Sequence, residues 1–248
     1  MIGIITGLTL KQLVGQRRSV LVVLLAAIPV LVGLAVRLTQ DGGDNPQEGV
    51  ANVLLGGFVV QFVLPLTALI FGTAALGQEF EEGTSVYLLA RPTPRWQIVA
   101  GKLLGAWIAT SAVVVGSTVA ASLVVLAGED QLASIMGAFT LATIVGGLGY
   151  VSLFLCLSVA TGRSLVIGMV YVFLWEATFT SFAPGTQYLS IREYTLSLAE
   201  ALAGLPAGDF DAPLGTAPAI VLLTILIVGA ITIAVRRLQR YQITSADS

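Results

Sequence analysis

Two groups of side chains in this sequence can do chemistry, and they differ in kind. The first is a charged stretch, Gln78-EFEEGTSVYLLARPTPRWQIVAG-Lys102, which sets Glu79, Glu81 and Glu82 ahead of Arg91, Arg95 and Lys102. Acids, then an apolar end, then cations make a surface suited to recognising another protein. The second is Glu176, a lone carboxylate inside a long apolar run. In hydrocarbon such a group costs on the order of a few kcal/mol unless it is paired, protonated or wet. Residues for covalent or metal chemistry are missing. Histidine is absent and the single cysteine, Cys156, lies inside an apolar run. No Ser-His nucleophile, His-ligated zinc site or intrachain disulfide can be assembled from that set. A G-x-x-x-x-G-K-[ST] phosphate loop is also missing, and Gly147-Leu-Gly149 has no lysine after it. The chain is expected to be no enzyme, and to hold no metal, cofactor or nucleic acid.

The elements that position these groups are set by composition. Of 248 residues, 56% are hydrophobic and 10% charged, and the mean hydropathy is +0.93. Soluble domains average about 25% charged residues, so this chain cannot cover a water-facing surface. It is an all-α integral membrane protein by composition. Uncharged runs extend over 19–36, 49–78, 103–128, 131–162 and 212–235, and another, 164–191, is broken only by Glu176. About 20 apolar residues cross a hydrocarbon core of roughly 30 Å as a helix. The runs predict six spans, near 19–38, 51–77, 103–127, 134–160, 164–183 and 216–235, in a single transmembrane domain covering 1–248. They do not alternate as barrel strands would, and no internal repeat suggests a two-half transporter.

Orientation follows from the basic residues. With the N-terminus in the cytoplasm, only Arg37 and Arg192 of the 12 Lys and Arg fall outside. The acids Asp41, Asp44, Glu48, Glu129, Asp130, Glu193, Glu200, Asp209 and Asp211 then lie outside. The positive-inside rule places both termini in the cytoplasm. The first apolar run is too long for a signal-peptide core and is read as retained.

Local signals refine this scheme. Ile2, Ile5, Leu8 and Leu13 recur at helical spacing, which predicts an interfacial helix over 1–18. Carboxylates at Glu79, Glu81 and Glu82 suit a first helical turn. The Arg91-Pro92 and Thr93-Pro94 steps stop that helix near Ala90. This gives a short cytoplasmic helix over 78–91. Thr93 then serves as N-cap with Pro94 at the first helical position, and Trp96 marks the membrane interface. Gly83, at a cost of about 1 kcal/mol relative to alanine in a helix, would let another backbone approach; the plain alternative is a bend with solvated charges. Arg192 to Pro206 is expected to form a short amphipathic helix resting at the outer surface. Gly105/Ala109 and Ala112/Gly116/Ala120 are expected to give the third span a close-packing face.

Glu176 lies about 18 Å along the fifth span, counted from Ser164. Two readings stand side by side: it lines a translocation path or a dimer seam near Thr178, Thr180 and Ser181, with Gln61 as a weaker companion, or it is protonated and hydrogen-bonded to a neighbouring helix or snorkels outward. Pro65 reads as a kink. An ion- or proton-coupled secondary transporter using Glu176 is the alternative function.

The pattern Glu79-x-x-x-Gly83-Thr84-x-x-x-Leu88-Leu89-x-x-Pro92-x-x-Arg95-x-x-x-x-x-x-Lys102 resembles the cytoplasmic motif of the ABC-2 family of exporter membrane subunits, and it falls between the second and third predicted spans as in that family. The resemblance implies a permease subunit of an ATP-driven exporter in a prokaryotic plasma or inner membrane. It implies that the short helix is a coupling helix in which Glu79, Phe80, Glu82, Gly83, Thr84, Tyr87 and Leu88 contact a separate ATP-binding subunit, present in two copies. Arg95, Trp96 and Lys102 would support the re-entry at the membrane edge. ATP and Mg would be held by that partner. A second permease copy, or a similar permease, would complete the assembly in contact with membrane lipid. Cargo is not implied.

Overall fold

Long apolar runs leave the backbone no partner but itself, so in lipid they wind into helices. The computed structural model describes residues 2–15, 17–39, 52–81, 94–126, 132–179, 185–204 and 214–244. Among these, every regular element is helical. In chain order they are α1 (Ile2–Val14), α2 (Arg17–Thr39), α3, α4 (Arg95–Val125), α5 (Leu132–Ala160), α6, α7 (Ile191–Ala203) and α8 (Thr216–Thr244). The α3 rod starts as a wider π-helical stretch, Asn52–Val63, and continues as the α-helix Leu64–Glu81. The α6 rod has the reverse order, an α-helix Ser164–Val170 followed by a π-helical stretch Tyr171–Phe179.

Five helices among the described residues are long and apolar enough to cross a membrane: those covering Ser19–Leu38, Val53–Gly77, Arg95–Val125, Leu132–Ala160 and Thr216–Gln239. The apolar helix Ser164–Thr178 falls short of that length. Residues 180–183 of the fifth expected span lie outside the described residues.

At the centre stands α5, touched by α3, α4, α6, α7 and α8. Its glycines let neighbours approach to backbone distance. A Cβ on Gly146 would lie 2.2 Å from Thr195 Oγ1, and one on Gly149 would lie 2.6 Å from a Leu223 methyl. Across the bundle, a Cβ on Gly168 of α6 would lie 2.2 Å from a Leu69 methyl. Tyr150, Phe139 and Phe154 fill the interior. At the periphery, α2 and α8 turn Leu21, Leu24, Leu31, Ile225 and Val228 outward, as lipid-facing helices do. Pro29 lies inside α2, and Ser117 of α4 donates to the carbonyl of Ala26 in the preceding turn at 2.7 Å. A side chain from a neighbour thus supports the backbone beside the proline.

Three expectations change here. Helix α1 forms over Ile2–Val14 and is seated on α4, and the apolar residues expected on one face divide. Thr9 and Leu13 are buried, Thr6 Oγ1 donates to Gly101 O at 3.2 Å, and a Cβ on Gly101 would meet Ile5 at 2.8 Å. Leu8 instead points outward with Ile4. The close-packing face of the third span holds only at its start. Gly105 packs on Thr9 and Ala109 is buried, whereas Ala112 and Gly116 are exposed and nothing lies within 4 Å of a Cβ on Gly116.

The third change concerns the helix expected at the outer surface. It spans Ile191–Ala203, and Ile191 with Glu193 through Glu200 is buried against α5 and α8. Gly204, at φ +67, ends it in the left-handed conformation that glycine adopts without strain.

Candidate functional site

The charged stretch is described only at its two ends. Helix α3 is described as far as Glu81 and includes Glu79 and Phe80, while the rest of the expected 78–91 helix lies outside the described residues. Glu82, Gly83, Thr84, Tyr87 and Leu88 lie outside the described residues, as does the turn at Pro92. The re-entry begins one residue later than expected. Pro94 is the N-cap, with φ −63 and ψ 133, and it makes no side-chain cap hydrogen bond. Its carbonyl accepts from the Gln97 amide at 2.9 Å. The extended ψ of Pro94 keeps it out of the helix and makes Arg95 the first helical residue.

The membrane-edge residues separate in environment. Trp96 is 54% exposed, which suits an interfacial ring, while Lys102 is only 4% exposed and engaged by the protein. An ammonium withdrawn from water requires such engagement. Lys102 is therefore a buried residue near the start of α4 and not a free surface cation.

The second constellation is fully described. Glu176 is 1% exposed, at the far end of α6. Tyr171 Oη donates to its Oε1 at 2.8 Å, and the Ile191 amide donates to the same oxygen at 3.0 Å. Ser190 Oγ donates to Oε2 at 2.7 Å. Ser190 is also the N-cap of α7, its Oγ accepting from the Glu193 amide at 3.3 Å. One serine hydroxyl thus caps the helix and grips the carboxylate. The arrangement places a carboxyl group at a helix N-terminus, where the first amides lack backbone partners.

Neighbouring contacts tie the same junction. Trp175 Nε1 donates to Leu189 O at 3.3 Å, and Tyr194 Oη donates to Tyr188 O. Arg192 and Glu193 pair at 2.9 Å, with side chains 22% and 6% exposed. The fully buried Tyr150 of α5 stacks near Phe154, whose ring meets that of Tyr171 edge-on. Gln61 is half-buried in the Asn52–Val63 stretch, which touches α7. A separate apolar groove of about 310 Å³ is lined by Trp107, Ile108, Ser111, Ala112, Val115 and Ile144. Its lining offers no charged group to orient a ligand.

Ser190, Tyr171 and the Arg192–Glu193 pair were not singled out by sequence reasoning. One local signal was available: Ser190-x-x-Glu193 is the spacing of a capping box and marks Ile191 as the first helical residue. Glu176 joining that cap from 14 positions earlier has no sequence signature.

Among the described residues, no group of three or more His, Cys, Asp or Glu is placed to hold a metal. Among curated proteins, none matches the chain. The chain does match the model of the ABC-2 family transporter proteins over residues 9–242, which takes in every described helix except the first half of α1 and the last two residues of α8. The match covers both the charged stretch and the α6–α7 junction, and on that extent this chain belongs to the ABC-2 family of transporter proteins.

Proposed function

We propose that this chain is the membrane-spanning permease subunit of an ATP-driven exporter. A separate ATP-binding subunit, in two copies, docks on the 78–102 segment and carries ATP and Mg. A second permease copy, or a similar permease, completes the translocation path in a prokaryotic plasma or inner membrane. Six crossings with both termini cytoplasmic suit this reading: five long helices, and a fifth crossing made in two pieces by α6 and α7.

The observation that carries the proposal is the family match across residues 9–242 in a chain that has no phosphate loop of its own. A membrane subunit of a transporter that lacks nucleotide-binding residues needs a partner to couple ATP to movement. The acids at Glu79 and Glu82, the side-chain-free Gly83 and the apolar Tyr87 and Leu88 are the complementary surface for it. Lys102 and Trp96 support the return of the chain, one buried near the start of α4 and one exposed. Gln61 and Glu176 border the path through α7, Glu176 by seating that helix and Gln61 from the stretch that touches it.

The test is reconstitution. Purified with its ATP-binding subunit in lipid vesicles, the chain is expected to alter that subunit's ATP hydrolysis and to move cargo only when ATP is present. Cargo movement by this chain alone, driven by an ion gradient, would replace the exporter with a secondary transporter.

A further inference from the structure

The junction at Glu176 has a geometry of its own. The described part of α6, Ser164 to Phe179, covers about 24 Å at 1.5 Å per residue. Helix α7 is about 20 Å long. It runs antiparallel to the first half of α5. Ile191 lies against Gly149, Thr195 lies against Gly146, and Ala203 O accepts from Ser134 Oγ at 3.0 Å. Helix α6 occupies the other half, with Gly168 and Tyr171 against Phe154. Laid in succession, the two match the roughly 43 Å length of α5. They meet where Glu176 takes one donor from α6 and two from the start of α7.

We propose that Glu176 is a positioning residue that fastens α6 and α7 end to end into one interrupted crossing. A half-length helix that begins inside the bundle leaves its first amides without backbone partners. The Glu176 carboxylate answers one of them at Ile191 and fixes the Ser190 hydroxyl that answers another at Glu193. Both carboxylate oxygens are committed to the protein's own donors. The group therefore acts on the seat of α7 and not on cargo. Release of this latch frees α7 from α5 without disturbing the α1–α4 base.

The experiment uses the full chain in lipid nanodiscs, where both faces are open to a maleimide probe. In a Cys156→Ser background, Thr195→Cys reports the α7 seat and Leu13→Cys reports the distant α1–α4 base, both positions being buried. Glu176→Ala is expected to raise the Thr195→Cys labelling rate about tenfold or more, since the hydrogen bonds of a buried carboxyl group are lost, and to leave Leu13→Cys unchanged. Glu176→Gln keeps one acceptor oxygen for Tyr171 and Ile191 but offers an NH₂ group to Ser190, so its rate falls between. If Glu176→Ala does not fold, Tyr171→Phe combined with Ser190→Ala removes two of the three donors and is expected to give the same selective rise. Unchanged Thr195→Cys labelling in whichever variant folds would overturn the proposal. An equal rise at both positions would overturn it as well, because it would mean general loosening. No ATP-binding subunit is present in this experiment, so its outcome is independent of the exporter reading.

Discussion

Adding one methyl group at Gly146 tests the packing that seats α7. A Cβ there would stand 2.2 Å from Thr195 Oγ1, 2.9 Å from Cγ2 and 3.1 Å from Cβ. The first two are closer than atoms sit without movement. Thr195 is fully buried, and its hydroxyl donates to Ile191 O at 2.9 Å, so rotating it away breaks that bond. Overpacking of this kind costs about 1–3 kcal/mol. The change also removes a glycine from a helix interior, which favours folding by up to about 1 kcal/mol. The clash wins, and Gly146→Ala is expected to destabilise by about 1–2 kcal/mol. Thr195→Ala removes both nearest atoms and leaves only the 3.1 Å contact with Cβ. The double variant should therefore recover most of the loss, a coupling of about 1–2 kcal/mol. Gly137→Ala on the same helix is the control, because nothing lies within 4 Å of a Cβ at that position. Equilibrium unfolding in mixed micelles reads all four proteins. Neutral or stabilising behaviour of Gly146→Ala, additive with Thr195→Ala, would refute the reasoning.

Two further outcomes follow from the same contacts. A Cβ on Gly101 would lie 2.8 Å from Ile5, so Gly101→Leu is expected to lift α1 and to raise maleimide labelling of Leu13→Cys roughly tenfold; unchanged labelling would show that α1 does not depend on this approach. Trp107 Nε1 donates to Ile144 O at 2.8 Å between α4 and α5, and Trp107→Phe should lower the unfolding free energy by about 1 kcal/mol, with no measurable change counting against that bond.

Much of the helical architecture can be read from the placement of charge alone. Long uncharged runs have one solution in lipid, and Arg17, Arg95 and Arg163 lie at or beside helix starts that the structure shares, while α8 continues past Arg236 to Thr244. Where polar residues gather, that rule loses force. Arg192, Glu193 and Glu200 mark the α7 sequence as surface by composition, yet Glu193 and Glu200 are buried. Glycines at 146 and 149 on another helix admit α7 closely, and Arg192 neutralises Glu193 within the pair. Both facts depend on contacts far apart in sequence. Glu176 shows the same limit. Its costly position was legible, and so was the chance of a hydrogen-bonded neighbour, but not that the neighbour is the cap of a helix beginning 15 residues on. The register of α1 differs for a simpler reason: both of its faces carry apolar residues, and glycines on α4 decide which one packs.

The account's central claim is that an ATP-binding subunit seats on the segment between α3 and α4. The most direct measurement places a photocrosslinking amino acid in turn at Thr84, at Tyr87 and at Tyr188, in the assembled transporter. The account predicts crosslinks to the ATP-binding subunit from Thr84 and Tyr87 and none from Tyr188, with the Thr84 crosslink lost when Gly83→Leu and Glu79→Lys are introduced together. An ATP-binding subunit that remains bound to that double variant at undiminished yield, or that crosslinks from Tyr188 and not from Thr84 or Tyr87, would contradict it.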